Sequence, residues 1–449
     1  MLPRLDAHVY RKTKYGADVF VLETGAAIDA EAEAMLQALH SRSTGGLIAH
    51  LKRLEEKGAA NFMANFYVGY GHKSIGDCGT TTVFAEGISM LAAKAVQDWP
   101  LYSGQESSTR FVDFSRQPFL DVTGTGAGRE IQEAWREFYL SLQAPVRQHL
   151  REKFPRGDGE DAKMWEKAIE ARSFDITRAF LPAGATTNIS WHTNLRQAAD
   201  KLALLRHHPL SEIADLADAI EDGLRERYPS SFSAKRYEAT ETFNASIAQG
   251  HYYHRPWTPD FELTENTIRP DALAACCGIL KSRPAKTELP RFLDDLGRIQ
   301  FCFTLDFGSF RDLQRHRGVT QRMPLLTDEI GFHPWYLEEL PEVQREQAKQ
   351  ILDIQRKRIN QLGLSRELHQ YYLPMGYLVS CHITGALPQI VYLIELRATR
   401  FVHPTLQMRA VQMAGMLDKL FGKCGLVLHL DSDPGRFDVR RGSHDITEK

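Results

Sequence analysis

A mixed fold of strands and helices, built as two diverged copies of one module, is predicted from three observations. Ile299, Phe301, Phe303 and Leu305 alternate with Gln300, Cys302, Thr304 and Asp306, the period of a half-buried strand, and an arginine-rich helix follows. Earlier, the β-branched run Thr80-Thr81-Thr82-Val83-Phe84 leads through Gly87-Ile88-Ser89 into a helix from about Ile88 to Val96, the same order of elements. Further on, Leu181-Pro182, Leu205-Arg206 and His208-Pro209 are matched in order by Leu373-Pro374, Leu396-Arg397 and His403-Pro404. Each set opens a helix, one to about Leu224 and one to about Leu420. A linker near Tyr228 to Lys235, with turn-forming Pro229-Ser230-Ser231, divides the chain into modules at 1–232 and 233–449.

Taken in order, residues Asp29 to Gly58 read as two amphipathic helices broken near Ser41-Arg42-Ser43-Thr44-Gly45-Gly46. Gly71 to Cys78 is glycine-rich and polar, hence a loop. Pro100 ends the first-module helix just after Gln97-Asp98-Trp99. Gly124-Thr125-Gly126-Ala127-Gly128 reads as a flexible turn, since Arg129 spoils a dinucleotide fingerprint. In the second module, Gly308 and Ser309 interrupt the strand pattern and are placed to cap a helix, on which Arg311 and Arg315 would share one face. A polar helix from about Glu338 to Leu362 and a polar tail from Asp431 complete the chain.

A length of 449 residues implies two or three domains, and 43% hydrophobic with 25% charged residues is an ordinary soluble composition. The net charge of −2 argues against wholesale nucleic-acid or membrane binding. The start, Met1-Leu2-Pro3-Arg4-Leu5-Asp6, carries charge where a signal peptide needs an apolar stretch. Cys78, Cys276, Cys277, Cys302, Cys381 and Cys424 form no CxxC pair, so they read as reduced thiols of a cytoplasmic protein. His251 and His254 lack an acidic third ligand close in sequence, so no metal is expected there.

The chemistry concentrates in Arg311-Asp312-Leu313-Gln314-Arg315-His316-Arg317, between a core-like strand and the apolar Met323-Pro324-Leu325-Leu326. Two guanidiniums flanking an imidazole present many fixed donors, with no carboxylate inside the triplet, and suit a phosphate, an anionic ring or an oxyanion. Glu106-Ser107-Ser108-Thr109-Arg110 offers hydroxyls, backbone donors and one guanidinium, which suit a nucleotide monophosphate. In Gly71-His72-Lys73-Ser74, serine and backbone N–H groups can hold a pyrophosphate.

At Arg315-His316-Arg317-Gly318-Val319-Thr320 the chain resembles the flavin-dependent thymidylate synthases. Their signature is Arg-His-Arg, a small hydroxyl residue three further on, then Glu-x-Ser-x-Arg-Tyr. Met323, Leu325 and Thr327 fill the later Glu, Ser and Arg slots of the second half. In the first half Glu106, Ser108, Arg110 and Phe111 fit that later part, while Asp98-Trp99-Pro100 falls where Arg-His-Arg belongs. His72, Ser74 and Asp77 are similar to the family's flavin-contacting His-x-Ser/Thr-x-x-Glu loop, with Asp77 one carbon short. Asn194 and Arg196 match its Asn-x-Arg segment, which helps hold the flavin. Arg178 and Arg397 match two nucleotide-binding arginines, with Arg206 as the first-half counterpart of Arg397.

The resemblance implies an α+β fold in each half, a small sheet with packed helices, and a homodimer acting as a pseudo-tetramer. It implies FAD, NADPH as reductant and methylenetetrahydrofolate as carbon donor, converting dUMP to dTMP. Sites shared between the modules would take Arg315, His316, Arg317 and Arg397 from the second, and Glu106, Ser108, Arg110 and Arg178 from the first. His72, Ser74 and Asn194 would stand on the flavin. Two alternatives stay open: a flavoenzyme modifying another pyrimidine nucleotide at C5, and a non-catalytic flavin- or nucleotide-binding homologue.

Overall fold

The computed structural model describes residues 8–24, 28–41, 46–63, 65, 73–109, 112–233, 235–254 and 259–431. It contains two compact units, each an antiparallel sheet with packed helices, as an α+β chain requires. One unit joins residues 1–122 to 184–253, and the other joins 123–183 to 254–449. The units therefore do not follow the sequence boundary at 232/233. Residues 123–183 pack with the second half because their anchors lie there: Trp135 Nε1 donates to the Tyr372 carbonyl at 3.0 Å, and the Ala183 N–H donates to the Leu373 carbonyl at 2.8 Å.

The first unit holds five strands, β1 (Val9–Lys12), β2 (Asp18–Val21), β3 (Thr80–Ser89), β4 (Ser103–Glu106) and β5 (Thr186–Asn194), in the order β1-β2-β3-β5-β4. β3 runs well past the predicted Phe84. A bulge between Glu86 and Ile88, where Gly87 adopts φ +72°, keeps Ala85 and Ile88 both buried. Helix Met90–Gln97 follows directly, capped by Ser89. The Glu212 carboxylate fixes that cap, accepting from Ser89 N at 2.9 Å and from Oγ at 2.6 Å. Helix Leu195–Leu205 leaves β5 in the same way, its Gln197 N–H bonded to Asn194 Oδ1 at 2.8 Å. Helix Ser211–Arg227 packs on β1 and β2, and helix Glu238–Tyr252 lies on helix Leu195–Leu205, where Asn244 donates to the Ala203 carbonyl at 3.3 Å. The predicted linker is a packed turn: Ser231 donates twice to buried Glu31, both bonds at 2.7 Å.

The second unit holds β6 (Phe261–Asn266), β7 (Arg298–Asp306), β8 (Thr320–Arg322) and β9 (Leu378–Ala386), in the order β6-β7-β9-β8. That order repeats β2-β3-β5-β4. Phe301 faces Ile383 and Phe303 faces Cys381 across β7 and β9, and all four are buried. Helix Phe307–Leu313 leaves β7, and its cap is Asp306, where the sequence pointed to Gly308 and Ser309. Asp306 carries two acceptor oxygens, so it binds Ser309 N at 2.8 Å while also taking Tyr336 Oη at 2.7 Å and Thr405 Oγ1 at 2.6 Å. The helix ends at Leu313, so Arg311 and Arg315 do not share a helical face. Helices Leu387–Arg397 and Pro404–Phe421 complete the repeat of the first unit's pattern. The polar helix spans Glu342–Gln361 and lies against helix Gly126–Lys153, where Arg358 pairs with Glu130 at 2.9 Å. Among the described residues, no helix is long and apolar enough to cross a membrane.

Candidate functional site

In the second unit the chain leaves helix Phe307–Leu313 in a tight turn, His316 N–H bonding back to the Leu313 carbonyl at 3.1 Å. The turn sorts the triplet by exposure: His316 is buried, while Arg315 and Arg317 face solvent. Arg397, at the last position of helix Leu387–Arg397, reaches this turn. Its Nε–H donates to His316 Nε2 at 2.7 Å and its Nη2 to the Asp312 carbonyl at 2.8 Å. The imidazole is therefore an acceptor at Nε2, neutral, with its proton on Nδ1. Burial, aided by the Arg397 charge, pushes the His316 pKa down to about 3.

Asp312 is the carboxylate that the sequence did not place beside the triplet. Its Oδ1 lies 3.7 Å from Arg315 Nε. Burial alone would raise Asp312, but Arg178, Arg315, Arg397 and Arg311 outweigh it and hold the carboxyl below its usual range. Four guanidiniums around one carboxylate leave an excess of positive charge.

Arg178 comes from the first half of the sequence, yet it belongs to this unit. It is buried, and burial would lower its pKa, but the fields of Asp175, Tyr336, Asp312 and Asp306 raise it. Arg178 Nε and Nη2, both amide atoms of buried Gln314, and His316 Nδ1 have no hydrogen-bond partner among the described residues. A buried donor without an acceptor costs about 1–3 kcal/mol. Several together mark a surface finished by something else, and donors of this kind fit the anionic and carbonyl oxygens of a nucleotide or a flavin.

The remaining predicted residues lie in the first unit. Glu106 ends β4, and the Gln97 amide donates to its Oε2 at 2.7 Å; Ser108 follows, half-buried. Ser74 is exposed on the turn Lys73–Cys78, which also carries Asp77. Asp77 pairs with Arg196 at 2.9 Å, so these two neutralise each other. Asn194 spends its side-chain oxygen on the helix cap. Arg206 binds Glu221 and Glu241, both in its own unit, and is not a free counterpart of Arg397. His72 and Arg110 lie outside the described residues.

Sequence reasoning missed Asp312, Gln314 and Gln97. The signal for the first two was present, because both stand in the seven-residue run that carries the arginines. Gln97 had no signal, since its importance comes only from a partner on another element.

Comparison with known proteins places these observations. Residues 25–230 match the family model described as "Thymidylate synthase complementing protein". That stretch includes Glu106, Ser108, Arg178 and Asn194, and Arg315-His316-Arg317 lies beyond it. Relatives extend over both halves. A UPF0159 protein of Chlamydia muridarum is 26% identical over 418 residues, covering 79% of this chain and 78% of that protein. The UPF0159 protein of Chlamydia pneumoniae is 24% identical over 401 residues, with coverage of 76% and 75%. That of Thermoplasma acidophilum is 22% identical over 433 residues, with coverage of 80% and 86%. The first-half motifs thus fall within a stretch, residues 25–230, that is similar to the thymidylate synthase complementing protein family, and the relatives carry similarity into the second half.

Proposed function

We propose that this protein is a flavin-dependent thymidylate synthase that methylates dUMP reductively, and that its two halves are diverged copies of one module. The carrying observation is the cluster of Arg178, Arg311, Arg315 and Arg397 around Asp312, with unmet buried donors beside it. Four cations and a neutral imidazole form a preorganised electrostatic surface. A cation about 4 Å from a developing anion is worth roughly 4 kcal/mol at an effective dielectric of about 20.

In this reading Arg178 and Arg397 hold the nucleotide, together with Glu106, Ser108 and Arg110. His72, Ser74, Asp77, Asn194 and Arg196 hold the cofactor, with Arg315, His316 and Arg317 on its anionic side. FAD supplies hydride chemistry when bound, with NADPH as its reductant and methylenetetrahydrofolate as the carbon source. The protein's own part is electrostatic. Arg315 and Arg317 stabilise negative charge, and the His316–Arg397 bond keeps the imidazole neutral, so His316 offers its Nδ1–H as a hydrogen-bond donor. The complementary motif sets meet in a homodimer with a pseudo-tetrameric arrangement of modules, working in the cytoplasm.

The purified protein tests this directly. Its absorbance spectrum should show bound flavin, and tritium should be released from C5-labelled dUMP in the presence of NADPH and methylenetetrahydrofolate. Release from UMP alone would move the reading to another pyrimidine nucleotide. Bound flavin with no NADPH oxidation for any pyrimidine nucleotide would point to a non-catalytic homologue.

A further inference from the structure

The first unit contains a closed counterpart of the Arg-His-Arg slot. Ser89 and Asp306 cap equivalent helices, which gives a common origin for counting. Five positions on stand Lys94 and Arg311; nine positions on stand Asp98 and Arg315; ten positions on stand Trp99 and His316. A carboxylate therefore occupies the position of the arginine at the mouth of the second unit's slot.

That carboxylate faces two lysines and a histidine. Asp98 Oδ2 lies 3.0 Å from Lys94 Nζ and 3.3 Å from His251 Nε2, and the Asp98 carbonyl accepts from Lys201 Nζ at 2.8 Å. Lys94 and Lys201 are each only 4% exposed, a burial that lysine tolerates only with a partner. Lys201 also stands over the Trp99 ring at 5.6 Å, and Lys94 over Tyr252 at 5.7 Å. Helix Glu238–Tyr252 closes the place from outside, with the Tyr252 ring 4.3 Å from His208. Burial would raise Asp98, but Lys94, His251 and Lys201 hold it well below the carboxylate range, and burial lowers Lys201 to about 8.

We propose that this pocket is an anion site whose occupant is the chain's own Asp98 carboxylate, sealed by helix Glu238–Tyr252. Its ligand class is a small oxyanion such as a carboxylate. The internal carboxylate already satisfies Lys94 and His251, so the wild-type pocket takes no external anion. Of these two equivalent positions among the described residues, the second unit's then carries the exposed arginine. The consequence for flavin stoichiometry rests on the proposed function; the pocket's own chemistry does not.

The test uses the full-length protein and two anions at equal ionic strength: formate, small enough to replace the Asp98 carboxylate, and gluconate, too large to enter. Asp98→Ala should melt roughly 5–10 °C below wild type, because it takes the carboxylate away from two buried lysines. Formate should restore much of that loss and gluconate should not, while wild type should respond to neither. Asp98→Ser, which vacates the same place but leaves a hydroxyl there, covers the case in which the alanine variant fails to fold, and should show the same formate-specific gain. Absence of a formate-specific gain in the variant that folds overturns the proposal, and so does an equal gain in wild type. Neither result bears on whether the second unit's slot binds flavin, so the two readings fail separately.

Discussion

Arg397 donates its Nε–H to His316 Nε2 at 2.7 Å, and this bond defines the charge state of the candidate site. A protonated imidazole could not accept it. Burial and the Arg397 charge hold the folded pKa of His316 at about 3, whereas an unfolded histidine titrates near about 6.5. Between those values the unfolded chain binds the extra proton, so acid favours unfolding. Stability is unaffected above about pH 6.5 and falls as pH drops toward 3, by up to about 1.4 kcal/mol per pH unit. His403, lowered to about 4 by burial and the Arg178 field, adds a like term between about pH 6.5 and 4. Urea midpoints at pH 7, 6 and 5 should fall progressively, and His316→Gln should flatten that fall.

Arg315 separates function from folding. Its side chain is 56% exposed and its ion pair with Asp312 is long, at 3.7 Å. Exposed pairs of this kind contribute about 0–1 kcal/mol. Arg315→Ala should therefore unfold within about 1 kcal/mol of wild type while losing turnover. Denaturant titration alongside a dUMP tritium-release assay checks both halves of the statement.

Arg178 should behave in a third way. It is buried with two nitrogens unmatched, so it is held at a cost that an apolar side chain of similar length would avoid. Arg178→Met should stay within about 2 kcal/mol of wild type and lose the thermal shift that dUMP gives. A loss above about 3 kcal/mol would mark the residue as structural.

Asp306 is the opposite case. It is fully buried and binds Ser309 N, Tyr336 Oη and Thr405 Oγ1. Asp306→Ala removes a helix cap and strands two hydroxyls, at a cost of about 3–4 kcal/mol. The first unit solves the same problem with the groups exchanged, since the cap is the hydroxyl of Ser89 and helix Ser211–Arg227 supplies the carboxylate of Glu212. Glu212→Ala should destabilise by a comparable amount, measured by urea unfolding.

How much of this was legible depended on the range of the interaction. The alternation from Ile299 to Leu305 gave β7 directly, because a strand buried on one face writes its period into adjacent residues. The turn carrying Arg315 to Arg317 was not legible in this way, since the run read as a helix through Arg315 while the helix ends at Leu313. The grouping of residues 123–183 with the second half was not, since it rests on pairs such as Trp135 with Tyr372, 237 positions apart. Asp98 could be read as a lost arginine, but not as the partner of His251, 153 positions away. Asp306 was overlooked as a cap because it is also the last residue of β7, and the alternation claimed it for the strand.

The central claim is that one cationic slot per chain, built around Arg315, His316 and Arg397, serves a flavin enzyme acting on dUMP. Equilibrium titration of the stripped protein with FAD, read by flavin fluorescence, tests it most directly. Wild type should bind one FAD per chain and Arg315→Ala none at the same concentrations. Two FAD per chain, or full turnover by Arg315→Ala with FAD bound, would contradict it.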